Sequence, residues 1–157
     1  MTTLTEEMKA PDFTAQTDGG GQVSLGDLKG KIVVLYFYPK DDTPGCTTEA
    51  IAFSQLGEKF AAAGATVIGV SKDSVKKHDN FKAKHDLTVT LAADPDGDLV
   101  ESYGVWVEKN MYGRTYMGIE RATFVINRQG QIARIWRKVK VKGHAEEVLE
   151  FVQTLGD

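Results

Sequence analysis

Ile32-Val33-Val34-Leu35-Tyr36-Phe37-Tyr38-Pro39-Lys40-Asp41-Asp42-Thr43-Pro44-Gly45-Cys46 is the stretch that decides the reading of this chain. Its first half, Ile32 to Tyr38, is an unbroken apolar, β-branched and aromatic run. Such a run reads as a strand buried on both faces. Pro39 ends it, and Lys40 to Thr43 form a polar loop. A helical pattern then runs from about Cys46 to Ala62, closed by Gly64. Thr43 stands where an N-cap belongs, with Pro44 at the first helical position, where a missing N–H costs nothing.

Working outward, Thr66 to Val70 reads as a second buried strand, and Ser74 caps a helix running to about His85. Val89 to Ala92 is a short third strand, Asp96 to Tyr103 a helical turn or two, and Ala122 to Ile126 a fourth strand. Asn127 to Gly130 is a turn, so Ile132 to Lys138 pairs back as a hairpin, with Ile132, Arg134, Trp136 and Lys138 on one face. A last helix spans about Ala145 to Thr154. Toward the N-terminus, Gly19-Gly20-Gly21 reads as a hairpin turn before Val23; no Lys-Ser/Thr follows, so it is a poor phosphate loop. Strands alternating with helices and a closing hairpin imply an α/β fold: a mixed sheet flanked by helices. The 157 residues suit one domain, 1–157, able to bury a core without metals or disulfides.

Cys46 is the only cysteine. A lone cysteine reads either as a small buried hydrophobe or as a reactive thiol. Position favours chemistry. The thiolate is the nucleophile, and helix N-termini, with their unpaired N–H groups and partial positive charge, favour it. The end of a central strand is also where ligand sites of open α/β sheets gather. The helix phase places Cys46, Ala50, Phe53, Gly57 and Phe60 on one stripe facing the sheet. The thiol is therefore expected at the floor of a pocket, with the Thr43 hydroxyl able to donate to the sulfur.

Pro39, Thr43 and Cys46 in this spacing resemble the peroxiredoxin signature, and YFYPKDDTPGCTTEA resembles the Q-type peroxiredoxins, the bacterioferritin comigratory protein group. The likeness extends to Ala10 to Phe13, Gly69 to Ser71, Tyr103 to Val105, Arg121 to Phe124 and Lys142 to Ala145. The resemblance implies a thioredoxin-like fold with peroxiredoxin additions. It implies a thiol-dependent peroxidase that reduces hydrogen peroxide and organic hydroperoxides through a cysteine sulfenic acid. Cys46 matches the peroxidatic cysteine, Thr43 the hydroxyl that orients the peroxide, Pro39 the residue that shields the pocket, and Arg121 the family arginine. A guanidinium near sulfur favours thiolate and can hold peroxide oxygens. The other reading of Arg121 is a surface pair with Glu120. Glu49 has two readings open, orienting Arg121 or complementing the helix dipole.

Many Q-type members carry a resolving cysteine five residues after the first, and others carry it on the next helix. Those places hold Ile51 and the run Asn80 to Lys84. The expectation is a one-cysteine cycle, resolved by an external thiol: thioredoxin, glutaredoxin or glutathione. The alternative is a non-catalytic thioredoxin-fold interaction module; a disulfide exchanger is disfavoured because position 49 is Glu, leaving no Cys-x-x-Cys.

The remaining features point away from other classes. No cofactor or metal is implied: His78, His85 and His144 lack ligand spacing, and the first two read as a solvated helix surface, the third as a helix-cap residue. Net charge is −3, which disfavours nucleic acid as partner despite the basic run Arg134 to Lys142; Trp106 and Trp136 read as packing residues. No apolar stretch is long enough for a membrane span, and Met1 to Ala10 do not read as a signal peptide. One cysteine fits a reducing, cytoplasmic setting. The resemblance implies a monomer.

Overall fold

The computed structural model describes residues 4–155, so Met1 to Thr3 of the N-terminal stretch lie outside the described residues. The chain opens with β1 (Thr14–Thr17) and β2 (Gln22–Ser24), joined by the glycine turn. It continues through β3 (Ile32–Phe37), α1 (Pro44–Gln55), α2 (Gly57–Ala62), β4 (Ala65–Ser71), α3 (Val75–His85), β5 (Thr90–Ala93) and α4 (Asp98–Ser102). A ribbon of β6 (Trp106–Met111) and β7 (Arg114–Ile119) precedes β8 (Ala122–Ile126), β9 (Ile132–Trp136) and α5 (His144–Leu155). Seven strands form one sheet in the order β2-β1-β5-β4-β3-β8-β9. β3, β4 and β5 are parallel, while β8 runs antiparallel to β3. This is the mixed sheet of the thioredoxin-like fold that the sequence implied.

β3 is central and buried along its whole length, which is why its sequence shows no polar alternation. Ile32, Val34 and Tyr36 pack with Phe53, Phe60, Phe81 and Val148 from α1, α2, α3 and α5. Val33, Leu35 and Phe37 pack on the other face with Leu99, Val100, Tyr103 and Phe124. The two parallel crossovers, β3 to β4 and β4 to β5, step the same way across the sheet. Right-handed connections then place their helices on one face.

Three expectations need correction. The helix expected as one piece over Cys46 to Ala62 starts at Pro44 and breaks at Leu56, whose φ is −93° and ψ 5°. At the break the Thr88 hydroxyl donates to the Ser54 carbonyl at 3.2 Å, and the Thr88 N–H donates to the Ser54 hydroxyl at 3.0 Å. A residue from the next crossover thus takes bonding capacity that a continuous helix would use. The expected stripe survives the break: Cys46, Ala50, Phe53 and Phe60 are all buried.

The single face expected for Ile132, Arg134, Trp136 and Lys138 is also wrong. Val125 pairs with Arg134 but Ile126 with Ile132, so one extra residue bulges from β9. Ile132 and Trp136 consequently pack into opposite core layers. Lastly, the β6–β7 ribbon was not expected at all. Its turn, Tyr112-Gly113, holds two consecutive positive φ angles, 54° and 76°. That is the backbone of a two-residue hairpin turn, but Tyr in its first place hides the usual Asn-Gly signal.

Candidate active site

Phe37 at the end of β3 pairs with Ala122 at the start of β8. The chain leaves β3 through Pro39–Thr43 into α1 and enters β8 from Arg121. Antiparallel pairing therefore sets the start of α1 beside Arg121, although Cys46 and Arg121 lie 75 residues apart in sequence.

Cys46 sits in the first turn of α1 and is only 1% exposed. Arg121 Nη2 donates to Cys46 Sγ at 3.5 Å, and Nη1 donates to Glu49 Oε1 at 2.7 Å. One guanidinium thus spans the sulfur and a carboxylate one turn further along α1. The planar fork suits this double contact better than a lysine ammonium would. A Cβ at Gly45 would lie 3.1 Å from Arg121 Nη2, so a side chain there would press the guanidinium by a few tenths of an ångström. Of the two readings of Glu49, orientation of Arg121 is the one the geometry supports. Glu120, the other candidate partner, pairs with Arg137 at 3.2 Å.

Glu49 is itself buried, and its Oε2 makes no hydrogen bond. Burial pushes its carboxyl up to about 7 against the pull of Arg121. Burial works to lower the Arg121 guanidinium, but Glu49 and Cys46 outweigh it and hold its value raised. Tyr36 of β3 completes the floor. Its hydroxyl is buried without a partner, and burial, with Glu49 and Cys46 adding to it, holds its value well above the ordinary one.

Thr43 caps α1 by position, with an extended backbone, but its side chain bonds no helix N–H. Its hydroxyl donates to the Lys40 carbonyl at 2.8 Å. The hydrogen expected to reach sulfur or peroxide is committed elsewhere, so toward a peroxide Thr43 Oγ1 presents lone pairs. Pro39 is half-buried between the end of β3 and this loop.

Lys109 was missed because its ribbon was missed. Burial and the Arg121 charge lower its value while the Cys46 sulfur opposes them, which sets a second cation in the field of the site. The solvated reading of His78 is also overturned. His78 is wholly buried, with Nδ1 2.6 Å from Asp41 Oδ2 and Nε2 3.0 Å from the Ala92 carbonyl. Its neighbour Phe81, three residues on, shares that buried face of α3, a spacing that was visible in the sequence. His85 is partly exposed and pairs with Asp42. His144 begins α5, buried against Thr123 at 2.7 Å, and burial pushes it down to about 4. Trp136 packs edge-on between His144 and Phe151, with Arg134 over its ring. Among the described residues no helix is long and apolar enough to cross a membrane.

The family model for the AhpC/TSA family matches residues 7–135. A putative peroxiredoxin bcp of Coxiella burnetii is 55% identical over 141 residues, covering 90% of this chain and 93% of the relative. The peroxiredoxin Bcp of Bacillus subtilis is 50% identical, covering 95% of both. A solved structure of Xanthomonas campestris peroxiredoxin Q superposes with a TM-score of 0.89 at 46% identity, covering 95% of this chain and 97% of that one. Such a fold, carrying one cysteine at a helix start beside an arginine, is that of a thiol-dependent peroxidase. The chain belongs to the AhpC/TSA family, in its Q-type, or bacterioferritin comigratory protein, group of peroxiredoxins. With a single cysteine, its cycle is a one-cysteine cycle.

Proposed function

We propose that Cys46 is the nucleophile that reduces hydrogen peroxide and organic hydroperoxides. The observation that carries this is the Arg121 fork, which holds the sulfur and the Glu49 carboxylate at once. The thiolate attacks the distal peroxide oxygen, an S–O bond forms as the O–O bond breaks, and Cys46 is left as a sulfenic acid; the alkoxide or hydroxide released takes a proton from solvent and departs as alcohol or water. Arg121 and the N–H groups at the start of α1 stabilise the charge developing on the peroxide oxygens. Thr43 Oγ1 accepts from the peroxide O–H, and Pro39 shields the pocket from water. A related structure from Xanthomonas campestris is described by its alkyl peroxide reduction activity, which supports including organic hydroperoxides.

The sulfenic acid is then attacked by an external thiol, releasing water and leaving a mixed disulfide; a second thiol restores Cys46. Thioredoxin, glutaredoxin or glutathione serves as reductant. The protein works as a monomer of one domain in a reducing, cytoplasmic setting. The test is peroxide consumption with dithiothreitol as reductant. Wild type is expected to turn over steadily and Cys46→Ser to be inert while folded. Comparable turnover by the serine variant would overturn the reading.

A further inference from the structure

The loop that carries Thr43 is held by buried polar side chains that the chemistry above does not use. The Tyr38 hydroxyl donates to Asp41 Oδ1 at 2.6 Å, and Asp41 Oδ2 lies 2.6 Å from His78 Nδ1. His78 Nε2 faces the Ala92 carbonyl at 3.0 Å. A carbonyl only accepts, so Nε2 carries hydrogen, and the contact between Nδ1 and Asp41 holds one further proton. Tyr38 and His78 are wholly buried and Asp41 nearly so. The backbone of Asp41 is gripped as well. Its N–H donates to Asp73 Oδ2 at 2.8 Å, an oxygen that also accepts the Ser71 hydroxyl at 2.7 Å. Tyr38 just past β3, Asp73 just past β4 and His78 of α3, itself held by the Ala92 carbonyl of β5, thus fasten one loop residue.

The peptide unit is planar, so the Asp41 N–H and the Lys40 carbonyl turn as one body. That carbonyl is the acceptor of the Thr43 hydroxyl. We infer that Asp41, His78 and Asp73 are positioning residues for peroxide reduction. They clamp the Lys40–Asp41 peptide, whose carbonyl takes the Thr43 hydrogen and turns the Thr43 lone pairs toward the peroxide. The inference rests on Thr43 meeting the peroxide, as proposed above. Its energetic basis is geometric: misplacing a reacting partner by about 1 Å costs on the order of a hundredfold in rate.

The test is a double-mutant cycle on the second-order rate constant of the reduced enzyme with hydrogen peroxide. The variants are Asp41→Ala, Thr43→Val, the two combined, and Asp41→Asn, each checked for folding by its denaturant midpoint. Asp41→Ala and Thr43→Val are each expected to slow the reaction about tenfold or more. The double variant is expected to be no slower than Thr43→Val, because Asp41 acts through that hydroxyl. Asp41→Asn is expected to recover most of the rate, since its amide donates to His78 Nδ1 and accepts from Tyr38. A merely structural role would make the two losses add, and additive losses overturn the inference. So does a wild-type rate for folded Asp41→Ala. Where Asp41→Ala does not fold, Tyr38→Phe replaces it in the cycle, with the same non-additivity expected and additivity again decisive against. A full rate for Thr43→Val marks the different failure, that of Thr43's own role, and takes the inference with it.

Discussion

Glu49 and His144 are two buried side chains whose protons act on stability in opposite directions. Folded Glu49, raised to about 7, keeps a proton that the unfolded chain releases above its ordinary 4.5, so stability falls as pH rises between those values. Folded His144, depressed to about 4, refuses a proton that the unfolded chain takes up below 6.5, so stability falls as pH drops through that window. Each slope is at most about 1.4 kcal/mol per pH unit. They overlap from 4.5 to 6.5 and cancel there. Glu49→Gln is expected to expose the histidine slope, with stability climbing with pH across the overlap; His144→Gln is expected to expose the opposite one. Urea unfolding at stepped pH measures both, and a Glu49→Gln profile parallel to wild type would refute the assignment. Arg121→Ala is expected to slow peroxide attack by about a hundredfold or more while the protein stays folded, read by stopped-flow. Cys46, Thr43 and Pro39 could be singled out at this scale because they lie close together in one loop and helix start, and Arg121 because of its Ala-Thr-Phe neighbours. The role of Glu49 stayed open because it depends on how α1 meets β8. The burial of His78 was signalled by its spacing to Phe81 and passed over, while its partner Asp41, 37 residues earlier, carried no signal in the sequence.

Among the elements, β4 passes close beneath the site's floor. A Cβ at Gly69 would lie 2.6 Å from Tyr36 Cζ and 2.7 Å from its hydroxyl. Tyr36 cannot retreat, since its ring stacks on Phe53 at 4.6 Å between centroids. Gly69→Ala is therefore expected to destabilise by about 1–3 kcal/mol through overpacking. A denaturant midpoint unchanged from wild type would show that Tyr36 has room. The central strands, α1, α3 and α5 were readable from hydrophobic runs and caps. The break at Leu56 and the bulge in β9 were not, because each is imposed by a partner: Thr88 on α1, and Val125 and Ile126 on β9. Periodicity describes an element alone and is blind to a neighbour that takes its hydrogen bonds.

For the whole molecule, burial of the sulfur limits what oxidation can form. A disulfide between two copies needs sulfurs about 2.05 Å apart. Two copies of Cys46, each 1% exposed in the first turn of α1, do not offer each other that approach, whereas an external thiol brings an exposed sulfur to it. After one equivalent of peroxide the expected mass is the monomer plus one oxygen, trapped by dimedone, with a thiol adduct once small thiol is added. A stoichiometric dimer that dithiothreitol dissolves would overturn the external-thiol cycle and leave the peroxidase intact. Overall topology was legible because buried parallel strands separated by helices admit few arrangements. The extra ribbon was not, since its strands and turn carry Met111, Tyr112, Tyr116 and Met117 exposed, where no core-facing pattern forms.

The pairing of β3 with β8 also has a consequence in time. Arg121 follows Cys46 by 75 residues. At about 5–20 residues per second, a ribosome exposes the sulfur some seconds before the guanidinium that completes its pocket. Until then β3 lacks its antiparallel neighbour, and the growing chain carries a thiol without the guanidinium that reaches it in the finished fold. On the role proposed for Arg121, the site is assembled only once the chain has reached β8, well after its sulfur has been made.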